Sequence, residues 1–111
     1  MSPALAAILL AAAPANATLL PDAITDTRDP AGRAVNCAAY LGHQINAVPR
    51  AGRPRFIAAM QAWRAELRRR LPRDEADQYF ASTFAVLGDT PAPVRAAAAA
   101  YCRSHAPARV R

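Results

Sequence analysis

The chain has 111 residues, a length that accommodates one domain, and it carries a formal net charge of +6. All 14 of its basic residues are arginine, and this excess of positive charge favours solubility and a weak attraction to phosphate or acidic surfaces. Its 2 cysteines and 2 histidines form no Cys-x-x-Cys-His motif, which excludes covalent haem attachment, and no closely spaced pair typical of zinc sites.

The first 17 residues have the organisation of a signal peptide. The short apolar run ALAAILLAAA, residues 4–13, precedes PANAT, in which Ala15, Asn16 and Ala17 follow the small-x-small rule for signal peptidase. We therefore expect cleavage after Ala17 and a periplasmic or secreted protein. An uncleaved membrane anchor is the alternative, but this alanine-rich run is too short to cross ~30 Å of hydrocarbon.

Residues 18–29 show no regular apolar period and are interpreted as an extended or disordered lead-in. The first predicted helix spans about 30–47, because Asp29 and Pro30 supply an N-cap and a proline at the first helical position. Its apolar residues recur at helical spacing along one face. That face contains Ala34, Cys37, Ala38, Leu41, Ile45 and Val48, with Asn36 and His43 opposite.

The second predicted helix, about 54–71, has the clearest amphipathic pattern in the chain. Trp63 lies within its apolar stripe and is interpreted as a core residue. Pro72 separates this helix from a third, about 73–87, whose first turns carry acidic residues where the helix dipole favours negative charge. The stripe of the second helix consists of Phe56, Met60, Trp63, Leu67 and Leu71.

The end of the third predicted helix is marked by Gly88, which we expect to be its C′ residue. Thr90 and Pro91 then indicate the start of a fourth helix over about 91–104. The last residues, 106–111, read APARVR and are interpreted as a basic disordered tail.

Four helices with short connections predict an all-α fold, arranged as an up-down bundle over residues 30–105. In such a bundle the first and fourth helices are antiparallel neighbours. Cys37 near the start of one and Cys102 near the end of the other would then lie at the same end. Because two cysteines pair by default in an oxidising compartment, we predict one disulfide between Cys37 and Cys102 that cross-links these helices.

Charge is unevenly distributed along the chain. Residues 50–73 hold eight arginines and one glutamate, whereas residues 74–89 hold four acidic residues and no basic one. This pattern predicts a non-catalytic interaction module that meets an unknown protein or an anionic envelope component, including peripheral contact with lipid headgroups. We define the Arg-rich face as Arg64, Arg68, Arg69, Arg70 and Arg73.

A solvated helix face is the alternative interpretation of the same arginines. Glu66 lies at helical spacing from Arg69 and Arg70, and Asp77 lies at helical spacing from Arg73, so local pairs would neutralise part of the charge. A nucleic-acid partner is not expected, since an exported protein rarely meets one.

An enzymatic function is not predicted either. The sequence has no Gly-rich phosphate loop and no paired carboxylates with an evident cleft, and His43 and His105 are its only histidines. We predict no cofactor and no metal. A metal-binding or enzymatic site built on Cys102 and His105, three residues apart on one helix, remains a further alternative.

The segments NCAAYL, residues 36–41, and YCRSH, residues 101–105, resemble those of the small periplasmic acid-stress chaperones. The resemblance covers only these two short cysteine segments. It implies an exported helical protein held by one disulfide between an early and a late helix. The Arg-rich second helix and the wide cysteine separation depart from that pattern. The function it implies, as an alternative, is a chaperone-like or stress-related protein whose exposed apolar helix faces bind unfolded clients.

Overall fold

A computed structural model describes residues 20–108, and within that range the regular secondary structure is entirely helical. The predicted signal peptide with its cleavage site after Ala17, and the last three residues of the basic tail, lie outside the described residues. The four predicted helices agree with the observed ones to within two residues at each end. The helices are α1 Asp22–Thr25, α2 Pro30–Ile45, α3 Arg53–Arg70, α4 Arg73–Val86 and α5 Ala92–Ser104, with 3-10 turns at Arg50–Gly52 and Leu87–Asp89.

The start of α2 follows the predicted capping chemistry. Asp29 is the N-cap residue, and its Oδ1 atom accepts a hydrogen bond of 3.0 Å from the backbone N–H of Gly32. Pro30 occupies the first helical position, where a missing N–H costs nothing because that group would have no partner within the helix. A local sequence signal therefore fixes where α2 begins.

The end of α4 differs from the prediction. Gly88 does not serve as a left-handed C′ residue, because none of the described glycines has a positive φ angle. The chain instead tightens into the 3-10 turn Leu87–Asp89. Thr90 closes that turn: its backbone N–H and its Oγ1 hydroxyl both donate to the Leu87 carbonyl, at 3.1 and 2.7 Å. Thr90 therefore completes the preceding turn and does not cap α5, which begins after Pro91.

Helix α2 is the centre of the fold, and it packs against each of the other four described helices. The predicted apolar face is buried at Ala34, Cys37, Ala38 and Leu41. Burial also extends beyond that face, since Val35 and Ala39 are 0% exposed and Tyr40 is 5% exposed. A helix with neighbours on several sides needs apolar residues around most of its circumference, and periodicity on one face does not reveal this.

The segment before α2 was expected to be extended or disordered, and the structure corrects this expectation for its described part. Residues 22–25 form the one-turn helix α1, and the Ile24 side chain is completely buried against the core. Arg33 of α2 also donates from Nε to the Ile24 carbonyl at 2.9 Å. A single turn contributes a single buried side chain, so it produces no periodic pattern in the sequence.

The predicted disulfide between Cys37 and Cys102 is present and connects α2 with α5. Both cysteines are 0% exposed, and their Cα atoms are 5.3 Å apart. The two helices are antiparallel, because Gln44 at the end of α2 contacts Arg95 near the start of α5, while Arg33 contacts Tyr101. The small side chains of α5 include Ala98 and Ala99, also 0% exposed, which lets the helices approach closely.

Trp63 of α3 completes this junction, as the apolar stripe predicted. Its ring is 3% exposed, and its indole N–H donates a hydrogen bond of 2.8 Å to the Cys102 carbonyl. The buried polar atom of the indole therefore has a partner, as burial in a core requires. Leu67, one turn later on α3, is 1% exposed and belongs to the same core.

Removal of the disulfide by the double substitution C37A/C102A is expected to lower the free energy of unfolding substantially. The bond closes a loop with a sequence separation of 65 residues. In the chain-entropy description, opening such a loop costs about 4 kcal/mol. Urea denaturation of the oxidised protein and the double variant measures the difference, and equal midpoints would contradict the predicted role of the bond.

Replacement of Ile24 by alanine is expected to lower the free energy of unfolding by about 2 kcal/mol, because it removes apolar atoms from a completely buried site. Thr25→Ala in the same turn is the matched control, since Thr25 is exposed. Its effect should stay within about 0.5 kcal/mol. Thermal or urea unfolding compares the two variants, and similar losses would show that α1 is not anchored through Ile24.

Candidate anion-binding surface

The C-terminal half of α3 carries four residues of the Arg-rich face, and the fifth, Arg73, is the first residue of α4. Trp63 and Leu67 of α3 are buried in the core, and the arginines around them are half-buried or exposed. Glu66 lies among these arginines. Its two oxygens accept hydrogen bonds from Arg69 and Arg70, and the contact from Arg70 Nε measures 2.7 Å. The helical spacing of three and four residues brings both guanidinium groups to one carboxylate, as the sequence predicted.

A second carboxylate reaches the Arg-rich face from the neighbouring helix. Asp77 of α4 accepts a hydrogen bond of 2.8 Å from Arg68, and Arg64 lies 3.6 Å from the same oxygen. The expected pair between Arg73 and Asp77 is not formed: within residues 20–108, no carboxylate oxygen lies within 4.0 Å of Arg73. Asp77 instead pairs with Arg64 and Arg68 across the α3–α4 interface. Helical spacing within α4 does not predict these partners, because they lie on another helix.

The described ion pairs leave this surface positively charged. Four of the five arginines pair with the carboxylates of Glu66 and Asp77, and Arg73 pairs with neither, so these five arginines and two acids retain an excess of three positive charges. The side chains of Arg68, Arg69 and Arg70 are 38%, 47% and 43% exposed, respectively, so their guanidinium groups remain accessible. Pairing therefore reduces the positive charge without cancelling it.

The pKa values of both carboxylates are lowered by their arginine partners. For Glu66, the hydrogen bond from Arg69 is the main cause, and Arg70 contributes as well. For Asp77, the hydrogen bond from Arg68 is the main cause, and the positive charges of Arg64 and Arg73 add to it. Both acids therefore remain charged at neutral pH and hold the arginines in position.

One arginine of this surface is also positioned by an aromatic ring. The guanidinium carbon of Arg64 lies 4.3 Å from the centroid of the Phe80 ring on α4. Such cation–π contacts restrict the side chain while leaving the edge of the guanidinium group available for hydrogen bonds. Phe80 is half-buried and packs against the core, so it connects the core to the charged surface.

A cleft of about 370 Å³ lies beside the Arg-rich face, near the disulfide. Sequence reasoning singled out neither this cleft nor its most notable residue, Arg33, a half-buried cation on the central helix. The sequence feature that could have indicated Arg33 is its position four residues before Cys37, close to the apolar face of α2. The cleft is lined by Thr27, Pro30, Arg33, Trp63, Glu66, Arg70, His105 and Pro107.

The alternative metal-binding or enzymatic site at Cys102 and His105 has no free thiol in this structure. Cys102 is bonded to Cys37, so it offers no thiolate for metal binding or nucleophilic chemistry. The His105 ring stacks on Tyr101 with centroids 3.9 Å apart, and its Nδ1 atom lies 2.9 Å from the Tyr101 carbonyl oxygen. These contacts with the last turn of α5 account for the position of His105.

Comparisons of the chain with protein-family models, with curated proteins and with solved structures gave no match. The function is therefore argued from the surface itself. Among the described helices, none combines the length and the apolar character that a membrane-spanning segment requires.

The stability of the protein is expected to depend on Glu66 in a pH-dependent way. Since the folded-state pKa of Glu66 lies below the ordinary value of 4.5, its stabilising effect is present above that pH. It is lost as the pH falls through the folded-state value. Glu66→Gln should therefore lower the free energy of unfolding by about 1 kcal/mol at neutral pH, and the difference from wild type should shrink in acid.

Urea denaturation of wild type and Glu66→Gln over a series of pH values measures this difference. Asp89→Asn is the matched control, because Asp89 is exposed, lies outside the α-helices and has no arginine nitrogen within 4.0 Å among residues 20–108. Identical pH profiles for the two variants would contradict the role assigned to the Glu66 pairs.

Proposed function

We propose that this chain is a small, exported, non-catalytic helical domain that binds an anionic envelope surface through its Arg-rich face. The observation that carries the proposal is the shortage of acidic partners, with two carboxylates among five arginines. An excess of cations on one side of a small protein attracts anionic surfaces and aligns the molecule as it approaches. Lipid phosphates are the anions that such a surface meets in an envelope.

The packing of α3 supports this function because the helix is anchored in the core while its last turn stays accessible. Trp63 and Leu67 are buried, whereas the side chains of Arg68, Arg69 and Arg70 are exposed. We further propose that the four longer helices form an up-down bundle around α2, which would hold the Arg-rich face rigidly. A rigid, pre-positioned set of guanidinium groups loses less side-chain entropy on binding than a flexible tail does.

Export is part of the proposal and rests on two features of the chain. The N-terminal residues 1–17 have the sequence pattern of a signal peptide, and the described domain contains a fully buried disulfide. Disulfides of this kind persist in oxidising compartments such as the periplasm. We propose a periplasmic or secreted location, in which nucleic acid is not the expected partner.

The chaperone-like alternative has less support in the described surface. It requires an apolar face that becomes accessible to unfolded clients. The exposed large apolar side chains are Ile57, Tyr79 and Val86, divided between α3 and α4. Single exposed apolar residues are common on folded proteins and do not by themselves indicate a binding site.

The function is tested by binding to vesicles that contain phosphatidylglycerol in phosphatidylcholine. Each arginine near an anionic membrane contributes about 1 kcal/mol, so R68Q/R69Q is expected to weaken binding by roughly thirtyfold. The control R28Q/R55Q removes the same charge from exposed positions outside the Arg-rich face. Co-sedimentation at low and high salt measures both effects, and wild-type binding should fall steeply as salt rises.

Two results would contradict the proposed function. One is an absence of binding to anionic vesicles at low salt. The other is an equal loss in R68Q/R69Q and R28Q/R55Q, which would mean that net charge alone, and not this face, determines binding.

A further inference from the structure

The cleft beside the Arg-rich face is formed where four parts of the chain meet at the disulfide end of the molecule. The turn before α2 contributes Thr27, the start of α2 contributes Pro30, and the segment after the end of α5 contributes His105 and Pro107. Helices α2 and α3 form the remaining wall. A volume of about 370 Å³ falls within the range of small-molecule sites, at its lower end.

Arg33 is the central polar residue of this cleft, and neutral groups hold it in place. Its Nε atom donates to the Ile24 carbonyl at 2.9 Å, and one terminal nitrogen lies 3.5 Å from the Tyr101 hydroxyl. The guanidinium carbon also lies 5.1 Å from the centroid of the Trp63 ring. These contacts fix the direction of the side chain, but none of them carries a negative charge.

The positive charge of Arg33 is therefore not balanced by an acid. Within residues 20–108, no carboxylate oxygen lies within 4.0 Å of its nitrogens. The residue is half-buried, so water compensates its charge less fully than it does for a surface arginine. A half-buried guanidinium group with neutral partners is a favourable site for an anion.

Arg70 brings a second guanidinium group to the same cleft. Glu66 also lines the cleft, but its two oxygens are occupied by Arg69 and Arg70. The charged side chains that line the cleft are Arg33, Arg70 and Glu66, which leaves a net charge of about +1 by simple addition. The carboxylate orients Arg70 without cancelling the positive charge of the site.

We propose that this cleft binds a phosphate monoester, held between Arg33 and Arg70. Planar guanidinium groups match the oxygens of phosphate through paired hydrogen bonds, and the excess of positive charge in the cleft favours a group that is close to dianionic at neutral pH. The inference rests on the proposed binding of an anionic surface and narrows it to one recognised group. That group is either the exposed headgroup of a lipid or a soluble phosphate ester.

The test uses Trp63, the only tryptophan in the chain, as a reporter inside the cleft. Tryptophan fluorescence and titration calorimetry follow the addition of inorganic phosphate, of glycerol 3-phosphate, and of phosphatidate in phosphatidylcholine vesicles. We expect a saturable change with at least one of them. Saturation by soluble glycerol 3-phosphate identifies a free ester as sufficient, whereas saturation by phosphatidate vesicles alone identifies a lipid headgroup.

Two variants locate the site. Arg33→Gln is expected to weaken phosphate binding at least about tenfold, because it removes a charged hydrogen-bond donor. Arg70→Gln should also weaken binding of glycerol 3-phosphate, or of phosphatidate vesicles at high salt, where the attraction of the Arg-rich face to the membrane surface is screened. Arg69→Gln is its matched control under these conditions. Both arginines pair with Glu66 and are similarly exposed, but Arg70 lines the cleft and Arg69 does not. If Arg33→Gln destabilises the fold, the comparison of Arg70→Gln with Arg69→Gln decides the question.

The proposal is overturned if none of the three phosphate probes produces a saturable change in fluorescence or heat. It is also overturned if Arg70→Gln binds phosphate as tightly as Arg69→Gln does. In either case, retained binding of wild type to phosphatidylglycerol vesicles, which carry phosphodiesters, would leave the proposed function of the Arg-rich face intact. Loss of both activities would remove the proposed function as well.

Discussion

The packing of α2 against α5 around the Cys37–Cys102 disulfide is the constraint on which the rest of the structure depends. The bond joins two antiparallel helices whose small side chains allow close approach, and Trp63 of α3 donates its indole N–H to the Cys102 carbonyl. Three helices are therefore connected at one place by a covalent bond and a buried hydrogen bond. The cleft and the adjoining part of the Arg-rich face are built around this junction.

The charged surface follows from the same packing. Trp63 fixes the rotation of α3 about its axis, so the arginines on either side of the buried stripe must face outward. Glu66 and Asp77 then organise them into two small clusters, one within α3 and one across to α4. In each cluster an acid is shared by two arginines, which orders the guanidinium groups and still leaves positive charge for a partner.

Features that depend on local pattern could be predicted from the sequence, and features that depend on the number of neighbours could not. The N-cap at Asp29 and the apolar stripe of α3 are local features. The cap is confirmed, and the stripe is buried at Trp63 and Leu67 and partly buried at its other members. The Cys37–Cys102 pair required only that two helices be antiparallel neighbours. By contrast, the burial of Tyr40 and the docking of Ile24 depend on α2 being surrounded, and periodicity does not show how many helices a given helix contacts.

The same distinction applies to the candidate site. Its exposed arginines could be predicted because they form a run in the sequence. The role of Arg33 could not, because it depends on neutral groups that α1, α3 and α5 place around it in the fold. The two kinds of cation also respond differently to solvent. Exposed charges are screened beyond ~10 Å at 0.1 M salt, but a half-buried guanidinium group is screened much less. In the proposed function, the Arg-rich face would therefore attract an anionic surface within about that distance, and Arg33 would hold one group after contact.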